Sequence, residues 1–87
     1  MTIMQLKNIV RKDVPIYYKQ FYTAVAEIEL LGDVVETAIE FSLELKPTGM
    51  KEVLVTVQQE IDYPLVPLVT ELKNTIIALD RDTKLPA

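Results

Sequence analysis

The stretch VETAIEFSLELK, positions 35–46, decides the fold. Val35, Thr37, Ile39, Phe41, Leu43 and Leu45 alternate with Glu36, Ala38, Glu40, Ser42, Glu44 and Lys46. Side chains of an extended chain point to opposite sides in turn, so this period of two is a strand with one buried and one wet face. Just upstream, Gly32-Asp33 reads as a two-residue hairpin turn, with Gly32 supplying the positive φ of a primed turn. That turn pairs Leu30 with Val35, Ile28 with Thr37, Ala26 with Ile39, Ala24 with Phe41 and Tyr22 with Leu43, all on the apolar face. A single register satisfying both strands constrains the pairing more than either pattern alone. It also sets Glu29 against Glu36, an unfavourable like-charge pair.

Downstream, a three-residue loop at 48–50 pairs Leu45 with Val53, Leu43 with Val55 and Phe41 with Val57, and brings Lys46 to Glu52 on the wet side. The expected strands are 17–31, 34–46 and 51–61, a meander over 16–61 whose long first strand has room for a bulge near Phe21. Leu65, Leu68, Val69, Leu72, Ile76 and Leu79 then recur at three- and four-residue spacing, which predicts an amphipathic helix over 64–80. Pro64 and Pro67 suit its first turn, Asp62 or Tyr63 its cap, and 81–87 reads as a polar tail. Residues 1–15 fit either a short helix or a strand. Ile3, Leu6, Ile9 and Val10 have near-helical spacing after Thr2 as a cap, but a fourth strand would shield an otherwise open sheet edge.

The expectation is therefore one α+β domain over 1–87. It has an antiparallel meander sheet of three to four strands and one C-terminal amphipathic helix packed on one face. An 87-residue chain that is 49% hydrophobic, with no cysteine and no histidine, has neither disulfides nor thiolate or imidazole zinc to stabilise a small core. Oligomerisation is the aid that remains. No stretch has the length and apolarity of an export signal or a membrane span, and the lack of cysteine suits a cytoplasmic protein.

The same two missing residue types remove the common nucleophilic triads and dyads. Ser42 is the only serine and lies mid-strand on the wet face. Gly32 and Gly49 are the only glycines, too few for a phosphate-cradling loop, and turns explain both. The sequence thus predicts a non-enzymatic protein with no cofactor and no metal. Glu27, Glu29, Glu36, Glu40 and Glu44, with Glu60 on the next strand, read as solvated or partner-facing charge.

Parity turns Tyr18 and Tyr22 toward the helix, and Tyr17 and Phe21 away from it. An outward surface of Tyr17, Phe21, Thr23 and Val25 is an apolar patch that a partner should cover, a second copy of the chain before another protein. The alternative partner is single-stranded nucleic acid, held by Lys7, Arg11, Lys12 and Lys19 beside the aromatics. The net charge of −4 opposes that alternative, although residues 1–20 carry four basic residues against one acidic. A third reading is a small-ligand pocket between helix and sheet, lined by Ile28, Ile39, Leu68 and Leu72.

Overall fold

In the computed structural model, which describes residues 1–59 and 63–86, four strands precede one helix. They are β1 (Thr2–Lys12), β2 (Lys19–Leu30), β3 (Asp33–Leu45) and β4 (Lys51–Val57), followed by α1 (Leu65–Arg81). The strands pair antiparallel in chain order, β1-β2-β3-β4, and α1 covers one face. This is the α+β meander expected from the alternation, with the N-terminal segment supplying the fourth strand.

Parity places the core. Tyr22, Ala24, Ala26, Ile28 and Leu30 from β2 meet Ile39, Phe41 and Leu43 from β3 and Val53 from β4 beneath Leu68, Leu72 and Ile76 of α1. Small residues on β2 lie opposite large ones on β3, so the layers interlock: Ala24 faces Ile39, and Tyr22 stacks on Phe41 at 4.9 Å between ring centroids. Ile28, Ile39, Leu68 and Leu72 are wholly buried in this cluster, so the residues expected to line a ligand pocket are its packed centre. Two inward assignments fail at the sheet ends. Tyr18 precedes β2 and is half exposed, and Val35 lies where α1 no longer covers β3.

Both hairpins keep the expected parity but slide by two residues. Ile28 pairs with Val35, Ala26 with Thr37 and Tyr22 with Phe41, because the turn residues are Leu31 and Gly32. A type I′ turn needs positive φ at both central positions and takes glycine best at the second. Gly32 at φ 87° occupies that second place, which forces Leu31 to φ 51°. The opposed acids are consequently Glu27 and Glu36, and Glu29 faces Val34.

The second loop is Pro47-Thr48-Gly49, one position earlier than expected. The Lys46 N–H donates to Met50 O and the Gly49 N–H to Lys46 O, with Gly49 at φ 86°. Proline at the first loop position and glycine in the left-handed last one is the chemistry of a three-residue hairpin. Leu43 then faces Val53, and Phe41 faces Val55.

The bulge expected near Phe21 is absent, since β2 and β3 pair without interruption. Two irregularities lie instead in β1, between Ile3 and Gln5 and between Lys7 and Val10, the second containing Asn8 at φ 53°. Each inserts one unpaired residue and so restores the same face three positions on. Ile3, Leu6 and Ile9 all pack against the core for this reason. Spacing that imitates a helix is here a twice-bulged strand.

α1 starts after Pro64, which serves as its cap without a side-chain hydrogen bond. The expected cap at Tyr63 is not used, and Asp62 lies outside the described residues, as do Glu60 and Ile61. The strand expected to run to residue 61 ends at Val57. The tail is more than a frayed end: Leu85 packs on the core, and the Tyr22 hydroxyl donates to Pro86 O at 3.4 Å.

Candidate functional site

With α1 on one face, the other face of the sheet is bare, and its residues follow from the register. β1 contributes Gln5, Lys7, Val10 and Lys12, which pair across to Glu27, Val25, Thr23 and Phe21 of β2. β3 and β4 continue the surface with Glu36, Ala38, Glu40, Ser42 and Glu44, then Glu52, Leu54 and Thr56. Phe21, Thr23 and Val25 thus lie in line on β2, half-buried by their neighbours. Tyr17 is not with them. It stands almost fully exposed ahead of β2, edge-on to Tyr18, and the two rim an open groove of about 610 Å³ with Leu45 and Pro47.

Charge on this face is organised across three strands. Lys7 on β1 reaches over β2 to Glu36 on β3 and lies 3.5 Å from Glu27, which also accepts a hydrogen bond from Gln5. Lys12 repeats the pattern one step along, 2.8 Å from Glu40. Lys46 binds Glu52 at 2.8 Å and lies 3.5 Å from Glu44. Lys19 lies 5.3 Å from the Phe21 ring centre, a cation–π distance.

These contacts move the titrations. The bond to Glu36 raises the Lys7 pKa, and the bond from Gln5, then the Lys7 charge, lowers that of Glu27. Lys12 lowers Glu40 in the same way, while Lys46 and Glu52 shift each other apart. Carboxylates held ionised in this manner are poor general acids near neutrality. They can orient a partner by charge. Among the described residues no group of three or more His, Cys, Asp or Glu side chains is placed to hold a metal ion.

The four cations expected to bind nucleic acid are dispersed. Lys7, Lys12 and Lys19 lie on the bare face, the first two engaged by carboxylates, while Arg11 pairs with Tyr22 and so belongs to the helix side. A shallow groove of about 230 Å³ runs between Lys12, Lys19, Phe21, Glu40, Ser42 and Leu54. Sequence reading overlooked Val10 and Leu54 on this face. The β1 bulges hid the first, and the second is an even-numbered apolar residue among polar neighbours on β4.

The fold and this face define a small α+β domain with an ion-paired open sheet. The chain belongs to the BB-0187 family, whose model matches residues 1–81 and so ends on the last residue of α1. No curated protein and no solved structure matches it. Among the described residues no helix is long and apolar enough to cross a membrane.

Proposed function

We propose that the protein is a small non-enzymatic interaction and assembly module of the cytoplasm that works as a homodimer. The observation that carries this reading is a sheet with one face covered by α1 and the other bare. On that bare side Phe21, Thr23 and Val25 run between cross-strand ion pairs, with Val10 and Leu54 exposed beside them. A domain of this size buries only about 60–65% of its unfolded surface, so covering more of the sheet with a second copy stabilises both. The absence of cysteine fits a reducing compartment.

Molar mass by light scattering over a range of concentrations, with and without a short single-stranded oligonucleotide, tests it. The expected result is the mass of two chains, unchanged by the oligonucleotide and by added salt. A one-chain mass throughout would overturn the dimer. Salt-sensitive binding of the oligonucleotide would favour a nucleic-acid role instead.

A further inference from the structure

The two edges of the sheet are unlike. β1 is interrupted twice, and bulges protect an edge by breaking its row of main-chain groups. β4 pairs with β3 from Lys51 to Val57 without a shift. Its hydrogen-bond phase follows from its ends: the Lys46 N–H donates to Met50 O at 2.8 Å, and the Gln58 N–H to Ala38 O at 3.1 Å. Bonded pairs alternate along an antiparallel ladder, so the even-numbered residues of β4 spend their main-chain groups on β3. Lys51, Val53, Val55 and Val57 therefore aim N–H and C=O outward, and no main-chain bond among the described residues reaches them.

We propose that this row is where two copies join, β4 against β4 about a two-fold axis through Leu54, making one continuous eight-stranded sheet. The inference rests on the homodimer reading and selects the edge over the bare face. Antiparallel self-pairing centred on Leu54 sets Lys51 against Val57 and Val53 against Val55, so all four outward residues are bonded. The ladder gains about eight hydrogen bonds at two per bonded pair. The same register sets Glu52 against Thr56 and brings the two Leu54 side chains together on the open face. No like charges are opposed. Face-to-face association would instead press Glu27, Glu36, Glu40 and Glu44 of one copy toward those of the other, at a net charge of −4 per chain. Lys51, the one cation on the edge, is already held by Asp80 of α1 at 2.8 Å.

The chain has no cysteine, so a single introduced thiol reports the geometry without background. In this register the two Leu54 residues form a non-hydrogen-bonded pair with Cα atoms about 4.5 Å apart, within disulfide range. Leu54→Cys should oxidise to a covalent two-chain species on a non-reducing gel, whereas Phe21→Cys should stay single. Val57→Pro removes an outward N–H and spares the bonds to β3, so it should give monomers with an unchanged circular dichroism spectrum. If the wild type has two-chain mass but Phe21→Cys cross-links and Leu54→Cys does not, the edge is wrong and the homodimer stands. A one-chain mass for the wild type at all concentrations overturns both.

Discussion

The Lys7 ammonium of β1 crosses β2 and donates a hydrogen bond to the Glu36 carboxylate of β3. Beneath it, Glu27 and Glu36 stand directly opposite each other in the β2–β3 ladder, a pairing that is repulsive by itself. Lys7 touches both, so the third strand supplies the cation that makes the register of the other two acceptable.

Lys7→Met should therefore destabilise the fold more at low salt than at high salt, and more at pH 7 than at pH 3, where both carboxylates are protonated. Urea midpoints at two ionic strengths measure the first difference. Equal loss at both would mean that Lys7 contributes packing rather than charge.

The pH profile should show a plateau with two falling limbs. Glu27, Glu40 and Glu52 have folded pKa values below their ordinary 4.5, so their pairing is fully present above that value and lost as pH falls through the lowered ones. Lys7 and Lys46 have values raised above 10.5, so their share is present below that pH and lost as pH rises beyond it. Thermal midpoints across pH 2–11 test this. A profile flat from neutrality into acid would remove any role for the cross-strand pairs.

Leu31 occupies left-handed backbone at φ 51°, with its side chain almost wholly in solvent. Leu31→Asn should stabilise the protein by up to about 1 kcal/mol, since Asn-Gly is the preferred pair for this turn. Gly32→Val should cost at least about 1–2 kcal/mol through backbone strain, because a Cβ at Gly32 meets nothing within 4 Å. Native stability in Gly32→Val, by urea denaturation, would contradict the turn.

Asn8 at φ 53° sets the second bulge of β1. Asn8→Gly should be tolerated, and Asn8→Val should cost about 1–2 kcal/mol. Equal stability of the two variants would show that β1 does not need the left-handed residue to return Ile9 to the core.

Phe41 is buried against Tyr22, with the rings 14° from parallel. Phe41→Ala should cost about 3–5 kcal/mol and erase near-ultraviolet signal from the stacked pair. A loss under about 1 kcal/mol would mean that β3 presents its other face to α1.

Local pattern was sufficient for everything that depends on which side of a strand a residue occupies. The alternation through Phe41 settled the faces of β2, β3 and β4, and the Leu68–Leu72–Ile76 stripe settled α1, because both periods are properties of backbone geometry itself. A slip of two residues preserves every face, so hydrophobicity could not tell Ile28 opposite Val35 from Ile28 opposite Thr37. Turn chemistry could have done so, by putting Gly32 second in its turn and Gly49 last in its loop.

On the candidate surface, parity placed Phe21, Thr23 and Val25 together but could say nothing of Tyr17, which precedes the strand. Which cations are free was not legible at all. Lys7 and Lys12 find Glu36 and Glu40 only because β1 docks beside β2 with two bulges, and that arrangement joins residues with no relation in local sequence. Periodicity acts over a few residues and is written in the chain. Register, bulges and cross-strand charge arise from contacts between distant segments, and only the assembled sheet decides them.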